Sequence, residues 1–379
     1  MTWVASTVRM AALGLCCACT PSPGRGAAGD VERRAPELSG RDSVLAARVE
    51  QFARARADAD SLSGIVVLAR GDQHLLRYAT GSADRSRQVA IDGDTRFNLA
   101  SLDKFFTRIA ILQLQQQGRL AMDDLVGEHL PDYPHERVRR EVTIRHLYDM
   151  RSGMGDFGSD DYSTMRSRLA ELRTLRDYVP LFADDPLAFP PGTRTRYSNA
   201  SYVVLGLIIE RVTGVTYYDY VQRHIFDVAG MRRSGYFAPA SGDGNTAIGY
   251  TANPLARAAA DVGAGARAPN TPLLAARGSS AGGGYSTAND LLALGRAVMG
   301  HKLLDEAHSD SLLDLTIPTL PGVRVGGWAG GDSGINTVLY LHSTGHVLVV
   351  LSNYDAPSAS VFRRQFWDSW LPEWLEAGR

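Results

Sequence analysis

Apolar residues at Leu45, Val49 and Phe52 recur at helical spacing in SVLAARVEQFARARAD, which predicts an amphipathic first helix. The period then changes. GIVVLARGDQHLLRYATG holds two strand-like runs around Gly71-Asp72, the signal of a tight hairpin. After Ser101, the stripe Phe105, Ile109 and Leu112 ends at Gly118, predicting a buried helix with a glycine stop. From about residue 120 to 310, helical stretches alternate with Gly-, Pro- and Asp-rich loops. Two of them read as buried helices: YVVLGLIIERVTG (202–214), and NDLLALGRAVMG (289–300) with Asn289 placed to cap it. Strand character returns in INTVLYLHSTGHVLVVLSNY, turning at Ser343 to Gly345, and VFRRQFWDSWLPEWLEAG predicts an amphipathic closing helix. Strands near both ends with helices between them predict an α+β fold. One antiparallel sheet is built from the two ends, flanked by terminal helices, with a large, mostly helical insertion over roughly 120–310.

Composition adds limits. The 379 residues are 44% hydrophobic and 21% charged, and residues 43–379 suffice for one large domain with ample core. A net charge of −1 gives no electrostatic case for nucleic acid or an anionic membrane. All three cysteines, Cys16, Cys17 and Cys19, lie in the first 19 residues, where Arg9 precedes a short apolar run from Met10 to Ala18. Residues 1–19 therefore read as a secretory signal, too short to span a membrane. Cys19, after Ala18, is the candidate for a lipid anchor, with an exported, periplasmic location as the expectation. An uncleaved, unstructured N-terminus is the alternative. Residues 20–42, rich in Pro, Gly and Arg, read as a flexible tether. The rest of the chain holds no cysteine, which excludes disulfide scaffolds and Cys-based catalysis or zinc sites. The nine histidines show no His-Glu-x-x-His spacing and no phosphate-loop motif is present.

Candidate chemistry starts from a bias. Of 40 basic residues only two are lysine, Lys104 and Lys302, and Lys104 stands three residues after Ser101. Arginine stays protonated, whereas lysine in a dry site can lose its proton and act as a base. A serine hydroxyl needs such a base before it attacks. A helix beginning at or just before Ser101 brings Lys104 back over it. Chance spacing would also produce this pair. In RYSNASY, Tyr197 beside a cationic lysine could have a lowered phenol pKa and shuttle a proton, with Asn199 orienting Lys104 or the substrate. An ordinary tyrosine and an N-capping asparagine explain the same residues. In GGWAGGDSGIN (326–336), glycines would let a strand edge approach a ligand and offer a backbone N–H to an oxyanion, or else form a simple turn. Gly331-Asp332-Ser333-Gly334 matches a trypsin-like tetrapeptide, but the long helices and missing upstream His motif argue against that reading. The acids Asp160 and Asp161 read as solvated loop charge.

In this order, the motifs resemble the penicillin-recognising serine hydrolases: class C β-lactamases, DD-peptidases and family VIII carboxylesterases. DTRFNLASLDKFFTRIAILQLQQQGRLAMDDLV, VTIRHLYDMRSGM, RYSNASYVVLGLIIERVTGVTYYDYV and GGGYSTANDLLALGRAVM carry the likeness, which runs from about residue 45 to 375. The resemblance implies Ser101 as acylated nucleophile, Lys104 as its base, Tyr197 as proton relay and Asn199 as a positioning residue. It implies an oxyanion hole from the backbone N–H groups of Ser101 and Gly331, and neither a metal nor an organic cofactor. Trp328-Ala329-Gly330 aligns with the family's Lys-Thr-Gly, making Trp328 and Gly330 candidate substrate contacts. Trp328 supplies no cation for a substrate carboxylate, which tilts the expectation toward short-chain esters. Met150 and Arg151 replace the His and Thr of many relatives. Hydrolysis of β-lactams or peptidoglycan-derived peptides, and a catalytically silent envelope-binding protein, remain the alternatives.

Overall fold

The computed structural model describes residues 40–157, 168–238, 244–316 and 322–378. The cysteines, the expected signal, the tether up to residue 39 and Asp160-Asp161 lie outside them.

Helix α1 (Gly40–Asp58) buries Leu45, Ala46, Val49 and Ala53 along one face. Its start takes in the last three residues assigned to the tether, because Asp42 is buried, accepting from Trp374 Nε1 at 2.7 Å and pairing with Arg70. Strands β1 (Gly64–Arg70) and β2 (Gln73–Thr80) form the expected hairpin. The late strands are β3 (Leu315–Thr316), β4 (Arg324–Asp332), β5 (Ile335–His342) and β6 (His346–Ser352). The sheet runs β2-β1-β6-β5-β4-β3, with β1 and β6 antiparallel from Gly64↔Ser352 to Arg70↔His346. The two ends of the chain therefore meet in the middle of one sheet, as expected.

Every residue of β5 and β6 is buried, so their apolar stretches, residues 338–341 and 347–351, show no polar alternation. Strand alternation sends Val66, Leu68, Val338, Leu348 and Val350 to one side, against α1 and the C-terminal helices. It sends Ile65, Val67, Leu339, Leu341 and Val349 to the other, against the inserted region. There lie α2 (Lys104–Gln116), α3 (Asn199–Thr213) and α4 (Ala288–Met299). The chain closes with α5 (Ser360–Gln365), a π turn (Phe366–Trp370) and α6 (Leu371–Glu376).

Two local expectations change. Thr287, not Asn289, caps α4, because its backbone is extended and its hydroxyl accepts from Asp290 N at 3.1 Å. Asn289 lies inside the first turn and accepts from Arg77 Nη2. The glycine-rich stretch 326–332 is a sheet strand, and only Ser333-Gly334 turns.

The fold also stores an acid-sensitive pair. His342 and His346 are fully buried on β5 and β6, and among the described residues no partner reaches either His342 ring nitrogen. Burial pushes His342 down to about 3 and His346 to about 4; the His346 charge adds to the first, while around His346 Arg70 and Arg41 oppose and Asp42 favours protonation. Both are depressed below the unfolded value of about 6.5, so stability is complete above that pH and falls as pH drops through it. Each histidine should cost about 1.4 kcal/mol per pH unit on the way down. His342→Leu should lessen the loss in urea midpoint between pH 7 and pH 5 by a clearly measurable amount; an unchanged loss would refute this origin.

Candidate active site

Ala100–Asp103 form a single 3-10 turn that leads into α2. The chain enters it through Ala100 at φ 45, a conformation that strains a non-glycine residue. Asn98 Oδ1 accepts from Ala100 N at 2.9 Å, and Thr337 Oγ1 on β5 donates to Leu99 O at 2.8 Å. This pins the turn against β4 so tightly that a Cβ at Gly330 would sit 2.1 Å from Leu99 O and 3.1 Å from Leu102 N. Only glycine permits that approach. Around the Ser333-Gly334 turn, Asp332↔Ile335 is the closing pair and Gly331↔Asn336 the next. Alternation of antiparallel pairing then turns the Gly331 N–H away from β5, to the edge of β4 that borders the Ser101 cavity.

Lys104 is 0% exposed. Its Nζ lies 3.2 Å from Ser101 Oγ, 2.6 Å from Asn199 Oδ1 and 2.5 Å from Ala281 O. Two of these neighbours are carbonyl oxygens that only accept. A neutral amine satisfies both with its two N–H bonds and turns its lone pair to the serine hydroxyl. Burial pushes the Lys104 amine down to about 7, against the opposing charges of Asp156 and Asp103. Asp103 is also fully buried and is pushed up to about 8 by desolvation; its Oδ2 accepts from Gly284 N at 2.5 Å and its Oδ1 has no partner. Neutral forms of both groups suit a site that water does not reach.

Tyr197 Oη stands 2.5 Å from Ser101 Oγ. The expected lowering of its phenol pKa is reversed. Desolvation pushes it up to about 12, Asp156 adding to this and the Ser101 contact opposing it. With the side chain 46% exposed, the direction is what matters: the phenol keeps its proton at neutral pH. The reason is that burial against the site disfavours the phenolate more than the Ser101 contact favours it. Asn199 does not cap α3; Ser198 does, accepting from Ser201 N at 3.1 Å. Instead Asp156 Oδ1 accepts from Asn199 N at 2.9 Å and Oδ2 from Asn199 Nδ2 at 3.3 Å, which orients the amide oxygen toward Lys104.

Two expected substrate contacts are corrected. Gly330 is a packing position rather than part of the cavity wall, for the steric reason above. Trp328 points into the core, its ring 5.9 Å from that of Tyr202 and 5.6 Å from the Arg108 guanidinium, which pairs with Asp314. The cavity, about 270 Å³ among the described residues, has apolar walls from Phe157, Tyr178, Leu273, Leu274 and Ile335. None of its lining residues is Arg, Lys or His, and Asp332 is its one formally charged residue. Asp103, Asp156 and Asp332 escaped sequence reasoning, since a single carboxylate in a loop or at a strand end leaves no periodic signal.

The family model described as Beta-lactamase matches residues 49–366. Penicillin-binding protein 4* of Bacillus subtilis (strain 168) is 32% identical over 174 residues, which are 45% of this chain and 37% of that protein. The match thus spans little more than a third of that relative's length. A crystal structure of a penicillin binding protein from Bacillus halodurans is 31% identical, with a TM-score of 0.70 over 82% of this chain and 98% of that one. EstCE1, described as a hydrolase with promiscuous acyltransferase activity, shares the fold at 21% identity and a TM-score of 0.69, covering 88% of this chain and 98% of its own.

Asp156→Asn keeps an oxygen acceptor for Asn199 and removes the negative charge that favours the Lys104 ammonium. The amine should then stay neutral to lower pH. Labelling of Ser101 by a neutral fluorophosphonate, followed against pH, should show its acid limb displaced downward in the variant. A limb that stays in place would mean that the Asp156 charge is not felt at Nζ.

Proposed function

The chain belongs to the β-lactamase family, whose members are serine hydrolases, and from that premise we propose that it hydrolyses short-chain carboxylic esters through an acyl-enzyme on Ser101. The observation that carries the serine chemistry is the buried Lys104 amine facing Ser101 Oγ, with both of its N–H bonds claimed by carbonyl oxygens. Nζ takes the hydroxyl proton as Oγ adds to the ester carbonyl. The backbone N–H groups of Ser101 and Gly331 donate to the oxygen that becomes negative. Tyr197, holding its proton next to Oγ, gives it to the departing alkoxide, and the proton on Lys104 makes good the loss. Water then attacks the acyl-enzyme by the reverse sequence, releasing the acid.

Support for esters over β-lactams or D-alanyl peptides comes from the wall. Those substrates carry a carboxylate, and no cationic side chain stands among the described lining residues to hold it. Apolar side chains suit a short acyl group. Action on peptidoglycan-type substrates is the second reading, favoured by the penicillin-binding names of two relatives that are more than 30% identical over the aligned residues. A silent binding protein is disfavoured, because a fully buried lysine without an ion pair is costly unless its neutral form is used. Export with a lipid anchor at Cys19 is proposed on the N-terminal sequence alone.

Turnover of p-nitrophenyl butyrate beside nitrocefin tests the reading: the ester should be cleaved and nitrocefin hardly touched. Nitrocefin hydrolysis without esterase activity would overturn it. Ser101→Ala should abolish turnover, and Lys104→Arg should lower kcat by about 10²–10⁴-fold, because a permanent cation cannot accept the proton. Near-normal turnover in the arginine variant would remove Lys104 as the base.

A further inference from the structure

We infer that Asp332 is an ammonium subsite, so that the preferred esters carry a protonated amine on the acyl group close to the scissile carbonyl. This deepens the ester reading and rests on it.

The argument begins with position. Asp332 directly follows Gly331, whose N–H faces the cavity, so the two Cα atoms are about 3.8 Å apart. Strand alternation puts the Asp332 side chain on the same face of β4 as Gly330. That face is the one against which Leu99 O and Leu102 N lie, at the foot of the Ser101 turn. A carboxylate is thus held beside the carbonyl-binding edge, on the nucleophile's side of the sheet.

Its bonding is incomplete. Oδ1 accepts from Ser333 N at 2.6 Å, while among the described residues Oδ2 has no hydrogen-bond partner and no cation pairs with the side chain. The neighbouring acid, Asp355, is different: its oxygens accept from Gly334 N at 2.7 Å and Ala252 N at 2.8 Å, a structural role at the base of the turn. Asp355 adds negative potential without offering a free oxygen. Asp332 is exposed at the cavity rim, yet the turn desolvates one side of its carboxyl and the Asp355 charge adds to this, so its pKa lies above the ordinary value, a shift that a bound ammonium would oppose.

Charge selection follows. As the one formally charged residue in the described wall, Asp332 attracts a cation and repels a carboxylate at the same place. The absent cation therefore does more than leave anionic substrates unassisted, because a negative group stands where their charge would come to rest. Apolar Leu273, Leu274 and Ile335 remain to receive the hydrocarbon part of the acyl group.

Three methyl esters of nearly equal shape separate the charges: alanine methyl ester (D and L, cationic), methyl isobutyrate (neutral) and monomethyl methylmalonate (anionic). Their kcat/KM values are measured by pH-stat at pH 7. The cationic-to-neutral ratio should fall about tenfold in Asp332→Asn for at least one alanine enantiomer, the scale of one partly screened charge-assisted bond, and the anionic-to-neutral ratio should rise. Ratios cancel any general loss of activity, and asparagine keeps the acceptor for Ser333 N. In the unaltered protein, added salt should lower the cationic-to-neutral ratio without any substitution. Hydrolysis of methyl isobutyrate with ratios that neither Asp332→Asn nor salt alters would overturn the subsite and leave the ester reading standing. No hydrolysis of any of the three, while Ser101 still reacts with a fluorophosphonate, would overturn the ester reading and the subsite with it.

Discussion

Exclusion of water from one amine governs this molecule's chemistry. Lys104 is enclosed by α2, the start of α3 and the Ala281 backbone, and among the described residues it has no ion pair at contact distance. In that setting the ammonium is penalised and the free base is favoured. The consequence spreads outward. Desolvation also keeps the proton on the Tyr197 phenol, so a depressed amine and a raised phenol stand on either side of Ser101 Oγ, the arrangement the proposed base and acid need. Asp156 and Asn199 tune the same amine from outside, one by its charge and the other by its oriented carbonyl.

The sheet supplies the second half of the geometry. β4 comes within glycine-only distance of the Ser101 turn, and Thr337 of β5 clasps Leu99 O. The Ser101 turn and the Gly331 edge of β4 are thereby fixed to each other through a packed contact rather than a loop, the precision that the proposed acyl transfer requires. Ala100 holds a left-handed backbone just before Ser101, a strained conformation maintained by the bonds on either side of it.

Selectivity lies in what surrounds this centre. Trp328 occupies the strand position where related motifs carry a cation, yet its ring turns into the core beside Tyr202 and Arg108. The described wall left behind combines apolar side chains with uncharged polar groups and a single acid at its rim. A site so charged can share a mechanism with penicillin-recognising proteins and still prefer substrates of a different charge.

The sequence by itself determined the elements and their order. Hydrophobic periodicity marked the hairpin, the buried helices and the late strands, and a lone lysine among arginines marked Ser101 and Lys104. These features are local, or repeat at fixed spacing, so a single chain displays them. Only the tertiary structure decided the protonation of Tyr197 and Lys104, the inward turn of Trp328 and the roles of Asp103, Asp156 and Asp332. Each of these depends on desolvation or on a partner tens to hundreds of residues away, quantities that arise only when distant segments close around the same point.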